Sequence, residues 1–471
     1  MRTKTFLSFS VAILLFTGCS MAPEMKTPEV QLPSLHVSDQ NISLSWWKNF
    51  KDENLNALIT EALKNNDDLK LAVANIQKAR AQYGISEAVL YPEVDLDGSA
   101  SRQSKSSNAY PSAFGGTYNN FGISASVAYE LDFWGRAKNQ KEADYSLLLA
   151  SDADKEALKI SLITDVATYY FNLVSLSRQI EIAEASLKSY DETLQYRKMQ
   201  LKHGVVDALV VAQAKAQVAQ AGTLVATLQR DKLTTQSALS LLVGRTPKEI
   251  FEKVVATSKT LPPSIEIPAG IPASLLQNRP DVKAAEETLR AKTALIGVIK
   301  AAYFPSISLT GNYGYQSENL DNLISKNSLA WGFGPSLNMP LFDFGRIKAA
   351  VDVSKADQKT AILSYEKTVK TAYKEVYDSL GSIRISKLKS DSVTEEVDAY
   401  REALLLATKK FDRGTITYLD VLDAQKGLLN AQLSSVAINA QLLIDEATLY
   451  KALGGGWNHQ YQDKNQASSS N

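Results

Sequence analysis

A chain of 471 residues with 51 Lys+Arg against 51 Asp+Glu carries no net charge, which argues against a general nucleic-acid binder, since such a protein needs a basic surface to displace counterions. A hydrophobic share of 45% with 22% charged residues excludes wholesale disorder. One Cys excludes a disulfide framework and a multi-Cys zinc site, and His36, His203 and His459 stand too far apart for a local motif, so no metal, cofactor or catalytic residue is expected.

The chain opens on an address. Arg2 and Lys4 precede an apolar run, Phe6 to Phe16, too short to cross a bilayer as a helix, and Thr17-Gly18-Cys19 follows. Residues 1–18 read as a cleaved signal peptide. A small residue directly before the only Cys resembles the bacterial lipobox, in which that Cys takes an acyl lipid (palmitate) and becomes the mature N-terminus; a plain secretory signal with a chance Cys is the other reading. The resemblance implies that Cys19 anchors segment 19–50 to the membrane, and that Ser20 after it directs the protein to the outer membrane.

Helical and strand patterns then alternate. A helical stretch from about Asp52 to Val89 precedes a weak period-two segment, in which Val94, Leu96, Gly98 and Ala100 alternate with polar neighbours. Phe121, Ile123, Ala125, Val127, Tyr129 and Leu131 repeat the pattern more clearly. From Ala137 to Leu201 there is no Gly or Pro, and such a helix would reach roughly 100 Å. Within it Leu176, Ile180, Ala183, Leu187, Tyr190, Leu194 and Leu201 recur at steps of four and three, broken where Arg197 takes the expected apolar place. That is a coiled-coil seam, although a helix in an ordinary bundle would share the spacing. His203-Gly204-Val205 turns the chain into a second helix, Ala208 to Leu242.

A Pro-rich linker, 246–270, separates this first unit (51–245) from a second (271–455) that repeats it. Leu90-Tyr91-Pro92 recurs as Tyr303-Phe304-Pro305, Asp132-Phe133-Trp134-Gly135-Arg136 as Asp343-Phe344-Gly345-Arg346, and Lys202-His203-Gly204 as Asp412-Arg413-Gly414. The second unit holds helical patterns at Ile271 to Ala302, Ile347 to Lys410 and Tyr418 to Leu453, and two more strands. One carries Ile307, Leu309, Tyr313 and Tyr315 on its apolar side. The other carries Trp331, Phe333, Leu337, Met339 and Leu341, with Pro335 inside it requiring a bulge or a missing ladder bond. A polar tail, 456–471, closes the chain.

Four strands of about ten residues, each with one greasy and one wet face and with aromatics such as Tyr91, Phe133, Trp134, Phe304 and Trp331 near their ends, have the length and dress of tilted membrane strands. Periodicity alone does not say which face meets lipid, and a soluble sandwich uses the same pattern. If the strands lie in lipid, four cannot close a barrel, because no water satisfies an open edge and known single-chain barrels have at least about eight strands. Copies of the chain must then pool strands: two would make eight, filled by side chains, whereas three would make twelve and leave a passage.

At this point the sequence resembles the TolC-like outer-membrane efflux ducts, in their lipoprotein (OprM- or NodT-like) branch that works with resistance-nodulation-division pumps. The resemblance rests on Trp46-Trp47 with Phe50 and Asp52; Glu130-Leu131-Asp132-Phe133-Trp134-Gly135-Arg136; Asn278-Arg279-Pro280-Asp281-Val282 with Ala284-Ala285-Glu286; Phe304-Pro305-Ser306-Ile307-Ser308-Leu309-Thr310-Gly311; Pro340-Leu341-Phe342-Asp343; and Tyr418-Leu419-Asp420-Val421-Leu422-Asp423-Ala424-Gln425. It implies a mainly α fold with a membrane β part: a homotrimer whose β-barrel, four strands per chain, is completed by trimerisation and continues into a long α-helical barrel. It further implies a passive duct, not an enzyme, with a periplasmic adaptor, an inner-membrane pump and outer-membrane lipid as partners.

The resemblance also marks Asp420 and Asp423 as an acidic pore gate. It marks His203, Gly204, Val205, Arg413, Gly414 and Thr415 as adaptor-docking turns. Three residues apart on a helix, the two Asp share a face, and threefold symmetry would gather six carboxylates about one axis, needing counterions or a pairing group such as Arg413. Another reading of Asp420 needs no channel: Thr417 as an N-cap with Asp420 three residues on stabilises a helix start, and the two roles are compatible. Asp132 and Asp343, before Gly turns, read as turn-formers. Outside the duct reading, the alternative is a surface-anchored lipoprotein with a structural or binding role.

Overall fold

The computed structural model describes residues 20–30, 43–106, 116–252, 255, 257–258, 260–265 and 279–457. The signal segment with Cys19, His36, Pro268, Pro272, Asn278, His459 and the tail beyond Trp457 lie outside the described residues. After a 3₁₀ turn at Trp46–Phe50, the elements in chain order are α1 (Glu53–Asn65), α2 (Asp67–Ala88), β1 (Glu93–Lys105), β2 (Gly116–Leu131), α3 (Arg136–Lys202), α4 (Ala208–Leu242), α5 (Pro247–Glu252), α6 (Pro280–Ala301), β3 (Ser306–Ser317), β4 (Leu329–Asn338), α7 (Arg346–Asp412) and α8 (Tyr418–Ala452). The internal repeat is explicit: α3 and α7 each have 67 residues, and α4 and α8 each have 35. The chain falls into two compact units.

The first unit comprises Asn75–Asp152, Ala284–Glu366 and the described N-terminal residues up to Glu29. Its four strands form one antiparallel sheet in the order β1-β2-β3-β4. The β3–β4 register runs unbroken from Ser306 opposite Asn338 to Tyr315 opposite Leu329, with Pro335 opposite Leu309, so the proline makes no bulge; β4 ends at Asn338, and Met339 and Leu341, expected on this strand, lie beyond it beside Pro340, which has no amide hydrogen for a ladder. Apolar side chains on the sheet stand in the open: Val94, Leu96, Trp331, Phe333 and Leu337 are all more than half exposed. A soluble sandwich turns such a face inward; here no described residue of the chain covers it. Ser20 hydrogen-bonds Asn139 near the start of α3, which ties the residue after Cys19 to the unit that carries the sheet.

The second unit comprises Val30–Ala74, Ala153–Lys283 and Lys367–Asn471, as far as described. Its main core gathers Trp46, Phe50, Leu55, Ile59, Val166, Tyr170, Phe171, Leu239, Leu443 and Ala447. Trp46 is fully buried and stacks on Tyr450 with ring centroids 4.8 Å apart. The expected seam on α3 is the side that packs: Ile180 and Ala183 meet Val225 and Leu228, Tyr190 meets Ala221 and Leu429, and Leu194 meets Ala214, Val421 and Leu422. By length and apolarity α8 alone among the described helices could cross a bilayer, yet its two ends join these clusters, so we place it as a packed helix.

The helix expected from Asp52 to Val89 is two helices. Asn66 interrupts it with extended backbone, donates from its side chain to the Leu242 carbonyl at 2.9 Å and accepts from the Leu69 amide, capping α2. Asp52 caps α1 by accepting from the Asn54 and Leu55 amides, and its other oxygen takes the hydroxyls of Tyr170 and Ser258, both at 2.7 Å. One carboxylate therefore ties a helix start, the middle of α3 and the linker together. Glu446, fully buried on α8, holds the linker a second time through the Ser264 hydroxyl and the Ile265 amide at 3.1 Å, and burial raises its pKa above the ordinary carboxylate value.

Burial pushes the Tyr170 phenol up to about 12 from its ordinary 10.0. A group that folding keeps protonated contributes stability that is present below its unfolded pKa and is lost as pH rises through the folded one. Denaturant titrations of the wild type should therefore show stability falling as pH rises from about 10 to about 12, and Tyr170→Phe should flatten that slope. An unchanged slope in the variant would contradict the assignment.

Candidate functional site

The two helix-to-helix turns sit in the second unit and are built alike. In the first, the Gly204 amide reaches the Leu201 carbonyl at 3.0 Å and the Val205 amide the Gln200 carbonyl at 2.9 Å. In the second, the Gly414 amide reaches Phe411 at 2.8 Å and the Thr415 amide reaches Lys410 at 3.0 Å. Both are helix C-termini closed by a left-handed glycine, with φ of +71° at Gly204 and +70° at Gly414, where a Cβ would be strained. His203, Gly204, Val205, Arg413, Gly414 and Thr415 are all exposed, so both turns present side chains outward.

The helices that leave the two turns start differently. Asp207 caps α4 by accepting from the Val210 amide at 3.1 Å. At α8 the hydroxyl and the amide of Thr417 both donate to Asp420, at 2.7 and 2.9 Å, in a capping box. The capping reading of Asp420 is thus realised in the single chain, and these two donors hold its carboxyl below the ordinary carboxylate range. Asp420 and Asp423 are both exposed one turn apart, with Val421 and Leu422 buried between them, so the acids lie on the face that the chain leaves open. Val210 stands where Asp420 stands in the other repeat and packs into the core, so each chain offers one acidic pair. Arg413 forms no ion pair within the described residues of the chain.

Arg197 is the residue whose role the sequence pattern flagged but did not explain. It is buried on α3, with its guanidinium carbon 4.5 Å from the ring centroid of Phe411, 5.1 Å from Tyr418 and 5.3 Å from Tyr196. Its Nη1 donates to Gln200 at 2.7 Å, and its Nε has no partner among the described residues. A cation in a cage of rings explains how a charge sits in an apolar seam. Phe411 lies in the last turn of α7 and Tyr418 begins α8, so Arg197 clamps the turn that presents the acidic pair. Burial raises the Tyr418 phenol above its usual value, and the Arg197 charge opposes that rise. The signal in the sequence was a charged residue at a seam position; the rings of Phe411 and Tyr418 come from more than 200 residues away.

Asp132 and Asp343 are the turn-formers expected of them. Asp132 accepts from the Lys138 amide, and Asp343 from the Gly345 and Ile347 amides, each starting a long helix; those donors lower the Asp343 pKa. Among the described residues no group of three or more His, Cys, Asp or Glu side chains is arranged to hold a metal ion.

The model of the family described as outer membrane efflux protein matches residues 58–245 and 271–455. The chain belongs to the outer membrane efflux protein family. It is 33% identical over 480 residues to the probable efflux pump outer membrane protein TtgC of Pseudomonas putida, covering 99% of each chain. It is 32% identical over 461 residues to the cation efflux system protein CusC of Escherichia coli, covering 96% of this chain and 99% of that one. Among solved structures, the CmeC outer membrane channel of Campylobacter jejuni superposes with a TM-score of 0.91 at 29% identity over 96% of this chain and 98% of that one. As a member of the efflux family the chain is an outer-membrane channel component, mainly helical with a four-stranded membrane β part and an internal repeat. The alternative of a surface-anchored structural or binding lipoprotein finds no support in these likenesses.

Loss of the aromatic clamp should free the turn. Arg197→Ala removes cation–π contacts worth about 2 kcal/mol when desolvated, so amide hydrogen exchange across residues 411–420 should accelerate by about thirtyfold. Exchange unchanged there would show that Arg197 does not hold the turn.

Proposed function

We propose that three copies of the chain form a passive duct, the outer-membrane component of a tripartite efflux system, which carries small molecules received from an inner-membrane pump and a periplasmic adaptor to the exterior. The observation that carries this reading is the open sheet: among the described residues, four strands, two unpaired edges and an uncovered apolar face. In lipid an unpaired edge costs several kcal/mol for each unsatisfied backbone group, so the sheet must be closed by other copies. Because the strands alternate in direction, β1 and β4 run antiparallel, and a ring of copies keeps the antiparallel pattern at every joint. Three copies leave a lumen that two would fill.

In this assembly the repeats, 51–245 and 271–455, are joined by the linker at 246–270, while 1–18 is removed. Cys19 carries a lipid in the outer membrane; the docking of Ser20 onto the sheet-bearing unit favours an anchor beside the membrane strands. The exposed turns 203–205 and 413–415 receive the adaptor. Asp420 and Asp423 from three chains ring the periplasmic end. A carboxylate held ionised by Thr417 caps its own helix and repels its symmetry mates, so the ring favours cations and its neutralisation changes the opening. The names of relatives refer to toluene, to an antibiotic and to cations, so cargo differs between members and is set by the pump rather than the duct.

Planar-bilayer recording tests the gate. Asp420→Ala with Asp423→Ala should raise single-channel conductance and weaken cation preference while leaving trimers intact. Unchanged conductance and ion preference would remove the gate assignment.

A further inference from the structure

The joint between copies has a template inside the chain. Where β2 meets β3, the ladder ends with Leu131 opposite Ile307, and three residues beyond each of them Trp134 stacks on Phe304. The ring centroids are 4.5 Å apart at 21°, and the Trp134 Nε1–H donates to the Pro305 carbonyl at 2.8 Å. An aromatic staple therefore closes the joint where the strands give way to helices. The internal repeat supplies the same parts again: Phe344 stands directly before Gly345 as Trp134 stands before Gly135, and Tyr91 before Pro92 as Phe304 before Pro305. Within one chain these two rings do not meet. Phe344 is fully exposed, with a backbone φ of 53° that a bulky residue rarely holds, and Tyr91 is 67% exposed.

Resting on the trimeric reading above, we infer that Phe344 of one copy stacks on Tyr91 of the next, and that this staple fixes the register of the β4–β1 joint, with Met339 opposite Leu96 and Leu341 opposite Val94.

A second observation, independent of the rings, excludes half of the other registers and retains this one. Residues directly opposite in a ladder point to the same face, so the apolar positions of two neighbouring strands must lie opposite one another. Inside the chain they do: Val94 faces Val127 and Leu96 faces Ala125. On β1 the apolar positions are even-numbered, and on β4, continued through Met339 and Leu341, they are odd-numbered. Only registers that set even opposite odd keep both greasy faces in lipid. The register counted back from the Phe344–Tyr91 staple is one of these; a shift by one residue would turn one strand's apolar side into the lumen. Met339 and Leu341 lie beyond the last paired residue of β4, Asn338, and are exposed, as a strand end awaiting its neighbour would be.

Disulfide trapping in the full-length protein, extracted in mild detergent, decides it. Met339→Cys is combined in turn with Leu96→Cys, Val94→Cys or Gly98→Cys; a Cβ at Gly98 meets no atom within 4 Å, and the native Cys19 is common to all. Directly opposite residues lie within disulfide reach and diagonal ones do not, so the Leu96 pair should form covalent trimers at least about tenfold faster than the other two. In parallel, Phe344→Ala should lower the temperature at which trimers dissociate, and adding Tyr91→Ala should lower it no further. Native mass of the unsubstituted protein separates the two levels. If that protein is trimeric but the Val94 or Gly98 pair reacts fastest, no pair reacts, or the two alanine effects add, the joint is wrong and the duct stands. If it is not trimeric, the assembly reading itself fails.

Discussion

A β-strand in hydrocarbon has no water to satisfy its edge, and that single constraint organises the molecule. The described residues of each chain form four strands with two open edges, which is stable in lipid only as a fraction of something closed. The same apolar surroundings explain why the sheet leaves its apolar side chains uncovered. Val94, Leu96, Trp331 and Phe333 would be an aggregation hazard on a soluble protein and are the expected surface of a barrel wall.

The rest of the chain solves a different problem, which is to hold two 67-residue helices with little core around them. It does so by a seam of apolar residues against shorter helices, by carboxylates that cap helix starts, and by buried polar ties to the linker. Asp52 and Glu446 both use a carboxyl group to fix a segment that lacks regular structure. Both are satisfied by donors, so the cost of burying them is offset. At the turns the same economy is visible in Asp420, whose carboxylate caps its own helix while its position leaves it facing outward.

Much of this was legible in the sequence because the features are periodic or repeated. The long helices were bounded to within two residues by runs without Pro and, apart from Gly381 in α7, without Gly, and the hairpin turns by their glycines. The strands were legible from alternation, although β1 and β2 run longer than the alternating core of each segment, because polar residues such as Ser101 to Lys105 extend the ladder, and β4 stops at Asn338, short of Met339 and Leu341. What the sequence did not disclose depends on contacts between distant segments. Asn66 breaks a helix because it meets the Leu242 carbonyl; Arg197 fits an apolar seam because Phe411 and Tyr418 arrive from the other repeat; Phe344 and Tyr91 acquire meaning only once Trp134 and Phe304 are seen stacked. The internal repeat is what turns those local observations into general ones, since each joint in one half predicts its counterpart in the other.

The central claim is that no single chain seals the membrane passage and that three do. Electron-microscope images of the full-length protein extracted in detergent test it most directly. Views down the long axis are predicted to show threefold symmetry around a central opening; isolated single chains, or twofold particles without an opening, would contradict the account.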